Sequence, residues 1–309
     1  MRNRFAETVY RLGQTDPKIC VLVADISPAG SIEKFRTDFP TRFINTGVAE
    51  QVMIGMAAGM AQRGMRPFAY TIATFALYRP FEMVRNDLAY QNLPVTVVGI
   101  GGGVVYSTLG GTHHAQEDIA ISTAIPGMTV LSPSDPLEVE LATEYCARES
   151  QGPVYLRLGK AGEPVLTQNA IDPFKVGRVR YITRGNDICV MSYGLTMKMA
   201  TDVAAKLEQS GRSVSVMSVH TLKPLDRAGI AEALATHKDV VVIEETSSYG
   251  SLGGMVKQVA FDEKISVNLK TFSLKDEFIH VYGSHEALLA AHGLSPDLIL
   301  NAITGGTKR

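Results

Sequence analysis

Three short segments hold residue types that could do chemistry. In Asn45-Thr46-Gly47-Val48-Ala49-Glu50-Gln51 a glycine follows a short apolar run and an acid opens a helical pattern. Glu50 has two readings. It is a first-turn carboxylate favoured by the helix dipole, worth about 0.3–1 kcal/mol, or an acid held near a packing face of Met53, Ile54, Met56 and Ala57, in which case burial demands a partner. In Thr74-Phe75-Ala76-Leu77-Tyr78-Arg79-Pro80-Phe81, aromatics recur every three residues. That spacing fits a core stripe. Its place between a strand and a helix also fits ligand contact. The third segment runs from Gly101-Gly102-Gly103 to Thr108-Leu109-Gly110-Gly111-Thr112-His113-His114. Glycines after a strand allow close approach of a ligand or another chain. The two histidines could be ligands, acid/base groups or surface residues.

The elements that must position these segments alternate between apolar strands and amphipathic helices, the pattern of an α/β protein with parallel strands. Strands are predicted over 19–24, 43–45, 66–70, 95–100, 128–132 and 153–158, and helices over 51–63, 80–92 and 137–148. After a proline-containing linker a second α/β unit is predicted. Its strands cover 188–193, 213–219, 240–244 and 267–273, and its helices 197–208, 225–233, 252–261 and a last region from 284. The division is residues 1–165, a linker at 166–176, and residues 177–309.

Composition excludes several classes. The 309 residues carry 45% hydrophobic and 20% charged side chains and a net charge of −1, typical of a soluble globular protein. No basic stripe argues for nucleic acid or a membrane surface. No apolar run approaches the ~20 residues of a membrane span, and the N-terminus does not read as a signal peptide. Cys20, Cys146 and Cys189 are scattered and fit neither a disulfide framework nor a zinc site. Cys20 and Cys189 sit in strand-like apolar runs and read as inert core thiols, a reducing cytoplasm is the default, and no metal site is assigned.

Taken together, Gly47-Val48-Ala49-Glu50-Gln51, Thr74-Phe75, Thr112-His113, Leu131-Ser132-Pro133-Ser134-Asp135, His220-Thr221-Leu222-Lys223-Pro224-Leu225-Asp226, and Glu244-Glu245 followed by Gly250-Ser251-Leu252-Gly253-Gly254 resemble the transketolase family in order and spacing. The similarity is to the C-terminal section of transketolases and, more loosely, of deoxyxylulose-phosphate synthases. It implies a pyrimidine-binding domain, with a mostly parallel sheet and helices on both faces, followed by a smaller transketolase C-terminal α/β domain.

The resemblance implies thiamine diphosphate. In the family one unit holds the diphosphate through Mg²⁺ with a Gly-Asp-Gly…Asn motif and the other holds the aminopyrimidine. No Gly-Asp-Gly occurs in this sequence, so it corresponds to the pyrimidine half. Mg²⁺ then falls mainly to a separate subunit, in an assembly of two copies of this chain with two partners. Glu50 matches the glutamate that shares a proton with the pyrimidine N1′, and Phe75 the aromatic that stacks on that ring. Tyr78 is expected to extend that wall. Asp25 and Ile26 match residues near the cofactor. His113 matches the histidine that contacts substrate oxygens, while Lys160 and Arg2 fall near family phosphate-binding arginines. Arg157 is given no role and His220 a structural one. One position departs from the family. Leu109 stands four residues before His113, where classical transketolases have an Asp that binds a substrate hydroxyl. The implied activity is transfer of a two-carbon ketol unit between a ketose and an aldose, with a modified, deoxy or less phosphorylated sugar. The alternatives are a β subunit of a 2-oxo-acid dehydrogenase, a deoxyxylulose-phosphate-synthase-like enzyme, and a degenerate non-catalytic subunit.

Overall fold

In the computed structural model, which describes residues 1–26 and 31–305, twelve strands form two sheets. They are β1 (Ile19–Val23), β2 (Phe43–Asn45), β3 (Arg66–Ile72), β4 (Thr96–Ile100), β5 (Thr129–Leu131), β6 (Val154–Leu158), β7 (Arg180–Thr183), β8 (Ile188–Ser192), β9 (Val214–Ser218), β10 (Thr221–Lys223), β11 (Asp239–Ser247) and β12 (Asn268–Leu274). The first sheet runs β10-β5-β6-β4-β3-β1-β2 and the second β12-β11-β8-β9-β7. Pairings are parallel except β10 with β5 and β7 with β9. The mostly parallel two-domain α/β architecture agrees with the sequence reading.

Every residue of β1, β4 and β6 is buried, because helices cover both faces of a parallel sheet. The two-residue strand period divides β1 between two cores. Cys20 and Leu22 face a cluster with Met53 and Ile54, whereas Ile19, Val21 and Val23 face one with Phe5, Leu12 and Val139. The first cluster continues into the second unit through Tyr181, Cys189, Met217 and Leu252, so the two units share a core.

Several features depart from the predicted elements, among them the unpredicted helices Ser31–Asp38, Ala73–Leu77 and Asp118–Ala124. Residues 80–92, expected as one helix, form a short turn at Phe81–Met83 and a π-helical stretch at Val84–Ala89. Tyr90 N donates to Arg85 O and Leu93 N to Leu88 O, each five residues back, and Val84 and Leu88 both stay buried. The strands β7 and β10 have no counterpart among the predicted ones. β10 lies in the second unit's sequence yet pairs Thr221 with Leu131 at the edge of the first sheet, where Lys223 Nζ donates to Thr123 O at 2.7 Å. Beside it His220 stacks on Phe174 at 4.1 Å. Burial and Arg180 lower its pKa to about 3, so it is a neutral packing group, in line with the structural role expected from the sequence.

All three cysteines are free and buried, and burial pushes each thiol up to about 12. At pH 8 the thiolate fraction is then negligible. A chromogenic disulfide reagent is expected to titrate none of them in the folded chain and all three after denaturation. No helix among the described residues is long and apolar enough to cross a membrane.

Candidate active site

The predicted site residues gather at the carboxyl ends of adjacent strands in the first sheet, where open α/β sheets place ligands. Asp25 follows β1, Glu50 follows β2, Phe75 and Tyr78 follow β3, His113 lies in the loop after β4, and Lys160 follows β6. Asn45 ties two of these ends together. Its Oδ1 accepts from Asp25 N and from Gly47 N, each at 3.0 Å. Asp25 is held in the left-handed region at φ 46°, a conformation that costs a non-glycine residue free energy and concentrates at functional sites.

Glu50 is the first residue of the helix Glu50–Gln62 and is buried, at 2% exposure. Its partner is Arg79, whose Nη1 donates to Glu50 Oε1 at 2.7 Å. The same guanidinium lies 3.7 Å from the centroid of the Phe75 ring, a cation–π contact. Arg79 thus links the acid to the aromatic face. The contacts continue outward. The His113 ring meets Phe75 edge-on at 5.0 Å, Tyr106 lies 6.2 Å from His113, and Lys160 Nζ is 5.6 Å from the Tyr106 centroid. Thr74 Oγ1 donates to Thr112 O at 3.1 Å, fastening the Phe75 segment to the histidine loop. Burial, then the Arg79 charge, lower the pKa of His113. The shift favours the neutral imidazole, which can both donate and accept.

The other predicted residues make contacts of their own. Tyr78 donates to Glu117 Oε2 at 2.8 Å and lines an adjoining cavity of about 410 Å³ with Thr74, Thr112 and Phe278. Arg2 has a buried Nε without a partner among the described residues; burial raises the pKa of the Tyr70 and Tyr106 hydroxyls, and the Arg2 charge offsets part of that rise. Asp25 is exposed, and Ile26 packs against the core.

The transketolase pyrimidine-binding domain family matches residues 1–162, and the transketolase C-terminal domain family matches 177–299. The chain belongs to the transketolase family. It is 30% identical to an apulose-4-phosphate transketolase subunit of Phocaeicola vulgatus, over 96% of this chain and 94% of that one. It is 32% identical to the 6-deoxy-6-sulfo-D-fructose transketolase subunit SqwH of a Clostridium species, over 100% and 95%. Among solved structures it is similar to a split gene transketolase described as an inactive beta4 tetramer, with a TM-score of 0.88, 33% identity, and 98% of this chain and 97% of that chain covered.

Within this transketolase fold, two site residues escape a reading of the sequence alone. Arg79 stands there only as part of an aromatic stripe, although it is the one cation in that segment and adjoins a carboxylate that needs a partner. Tyr106 lies in the loop after β4, and its type alone signals nothing. Glu245 belongs to a family motif that by itself suggests no function; the structure buries it against the loop that carries His113.

Proposed function

We propose that this chain is one subunit of a heteromeric, thiamine-diphosphate-dependent transketolase that moves a two-carbon ketol unit from a ketose to an aldose. One observation carries the reading. A buried carboxylate and an aromatic face meet at the carboxyl edge of the sheet, joined through a single guanidinium. That pairing fits a flat heteroaromatic ring with a protonatable nitrogen. The cofactor, when bound, supplies the electron sink for breaking and re-forming the carbon–carbon bond.

The chain's own residues do the rest. Glu50 would share a proton with a ring nitrogen of the aminopyrimidine, and its burial limits the competition of water for that contact. Phe75 offers the stacking face, and Arg79 yields it, retaining exposure enough to remain hydrated. Tyr78, Asp25 and Ile26 border the same edge. His113 binds substrate oxygens as a neutral imidazole. Lys160 and Arg2 place positive charge at the outer end, facing an anionic substrate group. Mg²⁺ and the diphosphate fall to a second chain, since the sequence has no Gly-Asp-Gly.

The helix that carries Glu50 supports assembly. It has no side-chain N-cap, and Gly55 and Gly59 each cost about 1 kcal/mol relative to alanine. Buried Met53, Ile54 and Ala57 offset this on one face. The other face exposes Val52 and, contrary to its expected place on the packing face, Met56, beside glycines with open space around them, and Val48 is exposed just before the helix. Such an apolar patch with no steric bulk suits close approach of another chain, and we assign two copies of this chain and two partners.

Co-purification of the tagged chain from its native lysate, with Mg²⁺ and thiamine diphosphate present, tests the reading. Recovery of a stoichiometric chain bearing Gly-Asp-Gly…Asn, and ketol transfer by the complex, are expected. A partnerless chain that retains no cofactor would count against it. The donor is a modified sugar. Leu109, half-exposed near His113, offers no acceptor for a sugar hydroxyl, and the relatives named for apulose 4-phosphate and 6-deoxy-6-sulfo-D-fructose support such a substrate. The complex is expected to use xylulose 5-phosphate roughly a hundredfold less efficiently, in kcat/KM, than its own donor. Comparable values for the two would sink this assignment.

A further inference from the structure

The loop that carries Tyr106 and His113 is fastened from outside its own sheet. Its neck closes through Gly103 and Ala115, whose backbone groups exchange hydrogen bonds of 3.1 and 2.8 Å. Just beyond the neck, Val104 N donates to Glu245 Oε1 at 2.6 Å. Glu245 belongs to β11 in the second sheet and is 1% exposed. The same Oε1 accepts from His285 Nε2 at 2.6 Å, at the start of the helix His285–Ala291. The fit leaves no slack. Gly103 has φ +71°, and a Cβ there would stand 2.5 Å from the Glu245 carboxyl carbon. At the rim of the loop, Ser107 Oγ donates to Gly283 O at 2.8 Å. Below the neck, Ser247 N donates to Gln116 O at 2.8 Å, and Arg157 Nη2 donates to the Glu245 carbonyl at 3.2 Å.

We propose that Glu245 and His285 are positioning residues for this loop: together they fix the Val104 backbone and so set the place of Tyr106 and His113. The consequence for turnover rests on the function proposed above; the fastening itself does not. A backbone amide donating to a carboxylate makes a strong, directional hydrogen bond. The carboxylate can serve only if something holds it, and in this buried site His285 does so.

The pair is also sensitive to pH. Burial disfavours the His285 imidazolium, but the charge and hydrogen bond of Glu245 outweigh burial, and the pKa is raised above its ordinary value. The groups facing the pair are Glu286 on the same helix, Arg157 from β6, His114 in the loop and, across a cavity of about 550 Å³, Lys160 and the Lys198–Asp202 pair. A raised histidine pKa places the charged pair's contribution fully below pH ~6.5, with loss as pH rises through the folded-state value.

The test is hydrogen exchange of residues 103–114 in the full chain, corrected for intrinsic rates, at pH 6 and pH 9. In the wild type, protection of the Val104 amide is expected to fall up to about tenfold across this range, as the His285–Glu245 contact weakens from an ion pair to a neutral imidazole donating to the carboxylate. His285→Ala is expected to show low protection at both pH values. His285→Gln, which keeps a donor, should give intermediate and pH-independent protection. Amides of β1 and β4 should not change. Should His285→Ala fail to fold, His285→Gln and Ser107→Ala, which releases only the rim, carry the comparison. In the assembled enzyme His285→Ala should lower kcat/KM for the sugar about tenfold by the same reckoning and leave thiamine diphosphate affinity unchanged. Unaltered loop protection in His285→Ala overturns the proposal. So does a loosened loop with unaltered kcat/KM. If the wild-type assembly shows no ketol transfer, the functional reading fails, and exchange alone decides whether the pair fastens the loop.

Discussion

Replacing Glu50 by Gln is expected to lower kcat of the assembled enzyme by roughly 10²–10⁴-fold, the range lost with a positioned proton-transfer group, and to leave the fold intact. The glutamine amide matches the carboxylate in size and keeps the first turn of the helix Glu50–Gln62. What it lacks is a site for the proton. The Arg79 side chain, 40% exposed, stays hydrated when its partner is neutral, so the stability cost should be about 1 kcal/mol or less. The measurement is single-turnover rate at saturating thiamine diphosphate, with a thermal melt of the same sample. A normal melt with a collapsed rate places Glu50 in the chemistry. Full activity would mean that this chain's site is idle and that it serves the complex as a scaffold.

Glu50, Phe75 and His113 are singled out in the sequence by the resemblance of their motifs to the transketolase family, since residue type and spacing alone leave core and surface readings open; the parallel sheet then collects their strand ends on one edge. The strands are legible for a physical reason. Burial on both faces makes β1 a continuous apolar run and β4 and β6 nearly so, with Thr96 and the buried Arg157 as their polar exceptions. What could not be read depends on contacts between distant residues. β10 is three residues long and pairs with β5 some ninety positions earlier; no local period marks it. Arg79 could have been surface charge, and only the fold shows that it reaches Glu50 and covers Phe75. The π-helical turn at Val84–Ala89 keeps an ordinary helical composition, so pattern alone returns an α-helix.

Arg157 shows how far such a long-range contact can matter, and Asp118→Ala is expected to destabilise the chain by about 3–5 kcal/mol, the cost of breaking a buried ion pair from one side. Asp118 and Arg157 are 0% and 3% exposed. Asp118 Oδ2 accepts from Arg157 Nε and from Tyr155 Oη, both at 2.8 Å, and burial, with Asp118 beside it, raises the Tyr155 pKa well above its ordinary value. Without the carboxylate, the guanidinium keeps only the weaker carbonyl contacts to Ala115 and Glu245 and stays buried with its charge poorly compensated. Thermal melting of the cofactor-free chain measures the loss. Asp118→Asn retains an acceptor and should cost less. The double variant Asp118→Leu, Arg157→Met removes both charges and should be more stable than Asp118→Ala, since the penalty arises from a stranded charge rather than from a missing contact. If the double variant is instead the least stable, the pair's net attraction exceeds its desolvation cost. Arg157 would then act mainly as the tie between the Asp118–Ala124 helix and β11, and the loop 101–117, whose Ala115 carbonyl Arg157 also holds, should lose its order in the double variant first.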